Sequence, residues 1–221
     1  MVVLTPRLQA VADYVEPGSI VADIGTDHAY VPAYLLQHGI IRTAYACDIN
    51  PGPLQNARQT IAQNALSGVE FLLSDGMLAL EGKQFDTVII AGMGGELIAR
   101  VMAQSPLSRQ KQLCFILQPM TKADYLRTFL YREGFAVREE TFAAEEDKLY
   151  SILKVFYTGE SVQISNAYAL LGGAKAHPLF EQKRQREIVR LRKIDASLQH
   201  KADSEPMREE ILQLIKEIEE Y

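Results

Sequence analysis

The chain has 221 residues, 48% of them hydrophobic and 23% charged, with 14 glycines and 9 prolines. That composition excludes collagen-like, low-complexity and wholly disordered chains, and the length accommodates one sizeable α/β domain with a small appendage. A formal net charge of −5 argues against a general polyanion binder.

Thr5-Pro6 opens a first helix with Leu8, Val11, Ala12 and Val15 on one face. Seven β-like runs rich in Val, Ile, Phe and Tyr begin near Ile20, Thr43, Val69, Asp86, Leu113, Phe135 and Tyr150. Helical patterns separate the first six, as βα units of a parallel sheet require. Pro32 implies that the helix after the first strand waits until its loop is finished. After the second strand, Asn50 before Pro51 predicts a capped helix start, with Gly68 closing that segment. Thr121 and Asp124 stand at capping-box spacing, and Gly134 stops the helix they open. Only the acidic stretch Ala143 to Lys148 joins the last two strands, so that pair is expected to be antiparallel.

Past Gly159 the pattern changes. Leu170-Leu171-Gly172-Gly173 leads into an extended connector, and Pro178 precedes a long charged helix with Ile188, Leu191, Ile194 and Leu198 in a stripe. Ser204-Glu205-Pro206 starts another, with Met207, Ile211, Leu214, Ile218 and Tyr221 at 4-3-4-3 spacing. The expected fold is therefore a Rossmann-like α/β sheet of the class I methyltransferase type, seven strands with the last antiparallel, followed by an antiparallel coiled-coil-like helical hairpin. We divide it into residues 1–159, the catalytic unit, and 160–221, the connector and hairpin.

Cys47 and Cys114 lie inside apolar runs and read as buried thiols, not as a disulfide frame or metal site. No signal peptide is recognised and no apolar run approaches the roughly 20 residues that span a bilayer, so a cytoplasmic protein without membrane partners is expected.

The chemistry-bearing residues cluster at strand ends. Ile20 to Gly25 is an apolar strand closed by glycine, then Thr26-Asp27-His28-Ala29-Tyr30 forms a polar loop, the makings of a nucleotide crevice. A dinucleotide-binding pattern would have glycine where Asp27 stands, and a carboxylate there repels a pyrophosphate, so a cationic cofactor is favoured over NAD. Asp48 ends the second strand, 23 residues after Gly25, where an acid accepts both ribose hydroxyl protons of an adenosyl ligand. Ser74-Asp75-Gly76 follows the third strand, placed to meet an adenine amino group. Any one of these acids could be a turn residue, but Asp23, Asp48 and Asp75 at three successive strand ends point to a ligand. Gly92-Met93-Gly94-Gly95 closes the fourth strand and offers backbone N–H groups.

Residues 175–194 carry seven basic and two acidic side chains, between segments that are each net acidic. Lys183, Arg184, Arg186, Arg190, Arg192 and Lys193 are the candidate phosphate contacts, though charge alone favours a solvated helix face.

Together Ala22-Asp23-Ile24-Gly25-Thr26-Asp27-His28-Ala29-Tyr30, Ala91-Gly92-Met93-Gly94-Gly95 and Leu117-Gln118-Pro119, with Arg7-Leu8 and the terminal hairpin, resemble the bacterial tRNA (adenine-22-N1)-methyltransferases over essentially the whole chain. The resemblance implies S-adenosyl-L-methionine as cofactor, tRNA as partner, and methyl transfer to N1 of adenine 22. On this reading Asp23, Gly25, Thr26, His28, Asp48, Ile49, Asp75, Gly76, Gly92 and Met93 bind cofactor. Asp27 is the candidate catalytic carboxylate, and Arg7, Tyr30, Gly94 and Pro119 face the substrate. No metal is expected, and a monomer is favoured. The Asn-Pro-Pro-aromatic signature of many amino-group methyltransferases is missing, which suits a ring-nitrogen acceptor. The competing readings are a class I methyltransferase acting on another RNA or a small molecule, and a non-catalytic RNA-binding scaffold. An oxidoreductase is disfavoured by Asp27 and by the antiparallel last strand.

Overall fold

A computed structural model describes residues 1–199 and 204–221. Its elements alternate as the sequence predicts: α1 (Pro6–Ala12), β1 (Ile20–Ile24), α2 (Tyr30–Gln37), β2 (Thr43–Asp48), α3 (Pro51–Gln63), β3 (Val69–Leu73), β4 (Thr87–Gly94), α4 (Gly95–Gln104), β5 (Cys114–Thr121), α5 (Ala123–Arg132), β6 (Phe135–Glu145) and β7 (Lys148–Tyr157). The sheet has seven strands in the order β3-β2-β1-β4-β5-β7-β6. β1 to β5 are mutually parallel, and β7 runs antiparallel to both β5 and β6. β1 and β4 lie side by side although β2 and β3 intervene in sequence, which makes their junction the switch point where such sheets open a crevice.

Local chemistry explains the elements, with some corrections. α2 starts at Tyr30, two residues before Pro32, because a first-turn residue needs no N–H for the helix ladder. Asn50 occupies the N-cap of α3 without a side-chain cap bond; Asp48 Oδ1 instead accepts from the Asn50 N–H at 2.8 Å. No capping box forms at Thr121 and Asp124. β5 runs on through Thr121, and Lys122 turns into α5 in the left-handed region at φ 57°. The stretch Ala143 to Lys148 is mostly strand, since Ala143, Ala144 and Glu145 pair with Tyr150, Leu149 and Lys148. Only Glu146 and Asp147 make the turn.

The core fills both faces of the sheet. Phe115, Leu117, Val88, Ile90, Met102 and Leu130 pack on one side, and Val21, Leu35, Ile41, Ile89 and Ile116 on the other. Full burial of each such side chain contributes roughly 1.5–3 kcal/mol. Cys47 is fully buried and Cys114 half-buried; burial pushes their thiols up to about 12 and about 11, so both stay protonated at neutral pH.

Beyond the sheet come α6 (Asn166–Leu171), α7 (Phe180–Leu198) and α8 (Glu205–Glu220). α7 and α8 form the expected hairpin. Ile188 and Leu191 pack with Ile215 and Ile218, while Arg208 Nε lies 2.8 Å from Asp195 Oδ1, an antiparallel register. Met207, placed on the seam by spacing, is instead exposed.

The hairpin is tied to the sheet. Phe142 of β6 sits in the same apolar cluster as Leu171, Phe180 and Ile188. Beneath it, the fully buried Arg127 of α5 donates to Ser151 Oγ at 2.7 Å, to the Ala169 carbonyl at 2.7 Å, and to the Glu140 carboxylate. Glu140 also accepts the Gly173 N–H at 2.8 Å. Among the described residues no helix is long and apolar enough to cross a membrane.

Candidate active site

The carboxyl ends of β1, β2 and β4 converge on one crevice. Gly25 makes the turn after β1 at φ 76°, and the N–H groups of Gly25 and Thr26 both donate to the Cys47 carbonyl, at 2.8 and 3.0 Å. A Cβ at residue 25 would meet only the flexible tip of the Met93 side chain from β4, so it is the positive φ that calls for glycine here. Two hollows meet at Gly25. One, of about 380 Å³, is lined by Arg7, Asp23, Asp27, Tyr30 and Gly92 among others. The second, of about 160 Å³, is lined by Asp48, Ile49, Asp75, Gly76 and Met93. An elongated ligand crossing Gly25 would have one acid-lined hollow at each end.

Asp23 is buried, and Thr26 Oγ1 donates to its Oδ2 at 2.6 Å. Burial pushes its carboxyl up to about 6; the Thr26 bond opposes the rise and nearby Asp48 adds to it. A cation in this hollow offsets that cost, whereas an anionic ligand adds to it. Asp48 is half-buried at the end of β2, Ile49 is 60% exposed beside it, and Asp75 is exposed after β3. Ser74 shapes that last turn, its hydroxyl donating to the Gly76 carbonyl at 2.9 Å and accepting from the Ala79 N–H at 3.0 Å.

The loop after β1 presents Asp27 and His28 to solvent, with Asp27 Oδ2 3.7 Å from His28 Nε2. Ala29 takes the left-handed conformation at φ 52° and starts α2 at once. Its turn brings the His28 and Tyr30 rings parallel, centroids 5.0 Å apart and planes 6° apart. The expected cofactor residues of β1, β2, β3 and β4 are thus brought together, and Asp27 stands at the mouth of the same hollow as Asp23.

The sequence marks Gln118 only as part of the Leu117-Gln118-Pro119 motif, a pocket wall or an ordinary turn, and gives it no role of its own. Gln118 of β5 is fully buried, and its Oε1 accepts from the Gly92 N–H at 3.0 Å and from Arg7 Nη1 at 2.6 Å. Its Nε2 donates to the Pro119 carbonyl at 3.0 Å. The signal was a polar residue closing an otherwise apolar strand, but its partners depend on the β4–β5 register, which shifts at Met93. Arg7 is consequently no surface residue: it is held by Gln118 and by Glu145, whose Oε2 lies 3.6 Å from its Nε. Pro119 is buried within β5, and Gly94 ends β4. Gly95, next in the chain, leaves no room for a Cβ against the Lys122 carbonyl, so α4 and the β5–α5 turn are in van der Waals contact there.

The basic block on α7 is less uniform than its sequence suggests. Lys183 turns inward over the Phe142 ring, 5.6 Å from its centroid, and burial lowers its ammonium to about 8. Arg184, Arg190 and Arg192 pair with Glu181, Glu187 and Glu219 at 2.6, 2.7 and 2.9 Å. Arg186 donates to the Asp147 carbonyl at 2.7 Å, and Lys193 is exposed with no carboxylate partner among the described residues.

Residues 4–153 match the family model of the methyltransferase domain. The chain is 33% identical over 200 residues to the tRNA (adenine(22)-N(1))-methyltransferase of Bacillus subtilis (strain 168), an alignment spanning 89% of this chain and 82% of that one. It superposes on M. capricolum TrmK in complex with S-adenosyl-homocysteine with a TM-score of 0.82, at 28% identity over 99% of this chain and 97% of the other. A Streptococcus pneumoniae protein in complex with S-adenosyl-L-methionine gives a TM-score of 0.84 at 31% identity, covering 99% of both chains. On these grounds the chain belongs to the tRNA (adenine(22)-N(1))-methyltransferase family.

Proposed function

We propose that the protein transfers a methyl group from S-adenosyl-L-methionine to N1 of adenine 22 in tRNA. The observation that carries this reading is the pair of carboxylates in one hollow, buried Asp23 and exposed Asp27. The first suits the cationic end of the cofactor, and the second suits a base that becomes cationic.

Asp23, with Thr26, would hold the cofactor's ammonium; Asp48 would accept from its ribose hydroxyls, and Asp75 would meet the adenine amino group. Gly25, Gly76, Gly92, Ile49, Met93 and His28 form the walls around it. The cofactor supplies an electrophilic methyl on a sulfonium. Adenine N1 carries a lone pair and no proton, so no base acts before attack, and alignment with exclusion of water supplies much of the rate. The methylated ring becomes cationic. Asp27 stabilises that charge or accepts a proton from N6, Tyr30 offers a stacking face, and Arg7, held by Gln118 and Glu145, lines the same hollow; Gly94 and Pro119, at the ends of the neighbouring strands, are assigned to the substrate side.

We assign residues 1–159 to catalysis and residues 160–221 to tRNA binding. The outward cations of α7 support this. Exposed ion pairs such as Arg190–Glu187 contribute only ~0–1 kcal/mol, so a phosphate replaces the glutamate at little cost. The test is transfer of labelled methyl to unmodified tRNA transcripts with A or G at position 22. Label recovered as N1-methyladenine only from the A22 transcript is the expected result. Cofactor binding with no transfer to any tRNA, or equal labelling of the G22 transcript, overturns it.

A further inference from the structure

A third hollow adjoins the one that holds Asp23, and apart from the shared His28 and Tyr30 its walls have no role above. It is a groove of about 470 Å³ between the N-terminal segment and α3, and it shares Thr5, Leu8, His28 and Tyr30 with the hollow that holds Asp23. Its N-terminal wall is pinned. The Val2 N–H donates to Gln37 Oε1 at 2.8 Å, and Val2 packs with Ala33 and Ile61. The opposite wall is a face of α3 where Asn56, Gln59 and Gln63 recur at helical spacing. Among the described residues their side chains make no hydrogen bond, so three amides stand with donors and acceptors available.

The groove's electrostatics select the ligand class. No lysine, arginine, aspartate or glutamate side chain lines it, although the protein as a whole is 23% charged, and its one formal charge is the α-ammonium of the exposed Met1. A phosphate finds only that solvent-exposed ammonium as counter-charge, and no side chain of the groove pairs with a charged peptide. What the groove offers is a flat aromatic platform, His28 stacked with the 45%-exposed Tyr30, facing amides that read donor and acceptor edges. Those two features together are how proteins hold an unstacked nucleobase.

We infer that this groove binds a nucleobase of the tRNA adjacent to the target adenine, splayed across the His28–Tyr30 platform and read by Asn56, Gln59 and Gln63. The inference rests on the tRNA reading proposed above. It makes the shared platform a divider, with the target base on the cofactor side and its neighbour on the amide side. A base bound so helps keep the target out of the stack, because restacking would require both bases to leave together.

The experiment compares the full-length protein with an Asn56→Ala, Gln59→Ala, Gln63→Ala triple variant, on intact A22 transcripts and on transcripts abasic at position 21 or at position 23. The variant should raise KM for intact tRNA about tenfold, with cofactor Kd and Tm unchanged, since these side chains hold nothing else in place. One abasic transcript should raise the wild-type KM similarly yet add nothing in the variant, the non-additivity expected of two partners in one interaction. An unchanged KM in the variant, or effects that multiply for both abasic transcripts, overturns the groove assignment and leaves the tRNA reading intact. Failure of the wild type to methylate intact tRNA overturns both.

Discussion

Asp23→Asn should make the ligand-free protein more stable while destroying its affinity for cofactor. The Asp23 carboxyl is raised from 3.8 to about 6, chiefly by burial. A folded-state value above the unfolded one means that the folded form binds the proton more tightly. The protonated state's contribution is fully present below pH 3.8 and lost as pH rises through 6. At pH 7.5 the fold therefore carries a penalty of about 3 kcal/mol, at ~1.4 kcal/mol for each pH unit. Asparagine is uncharged, and its carbonyl can still accept the Thr26 hydroxyl. With roughly 2–4 °C of Tm per kcal/mol for a chain of this size, the variant should melt up to about 10 °C higher at pH 7.5, and the gap should shrink to about half by pH 5. The assay is thermal melting by circular dichroism from pH 5 to 8, beside calorimetric titration with S-adenosyl-L-methionine. A variant less stable than wild type at pH 7.5, or a gap that does not narrow with acid, would refute the reasoning. Retained cofactor affinity would remove Asp23 from the site.

Asp27→Asn should slow single-turnover methylation about 100-fold or more with cofactor Kd little changed; near-normal single turnover in a quench-flow assay excludes the catalytic role. Charge reversal at Arg186 and Lys193 should raise KM for tRNA and flatten its salt dependence, by a log–log slope of ~0.7–0.9 for each phosphate left without its counter-charge. Calorimetry should show cofactor binding untouched, and filter binding that finds the same tRNA affinity removes those residues from the interface. Gln118→Leu leaves the Gly92 N–H and Arg7 Nη1 without their acceptor, which should cost about 2–4 kcal/mol in chemical denaturation and weaken cofactor and tRNA binding together. Loss of only one of the two affinities would contradict a shared hub.

Most of the sheet was legible because its signals are local. Apolar runs of strand length, each followed by a helical period, specify βα units, and the missing helix before β7 specified its reversal. The acids at strand ends were legible for the same reason, since a strand's last residue is known once the strand is. Helix starts were read less well. Thr121 is helix-capping chemistry that the β5–β4 ladder claims for a strand, and Asp48, not Asn50, satisfies the backbone before α3. What lay beyond reach was pairing across elements. Nothing near Gln118 in sequence announces Arg7 or Gly92, and Arg127 meets Glu140, Ser151 and Ala169 only after four elements have assembled. The charge count over residues 175–194 likewise overstated the available positive charge, because Arg192 finds Glu219 only once the hairpin closes.

The knot beneath that hairpin governs how the molecule can meet a substrate much larger than itself. Arg127 reaches the Ala169 carbonyl, and Glu140 reaches the Gly173 amide, from a position with no access to water. Pulling α6 and the connector after it away from the sheet would break those bonds and strand a buried guanidinium and its carboxylate, a penalty of several kcal/mol that thermal motion seldom meets. The root from which α7 departs is thus fixed on the sheet that carries the crevice. On the tRNA reading proposed above, an RNA that reaches both the crevice and α7 meets an arm anchored in advance at its base, and the shape change falls chiefly on the RNA.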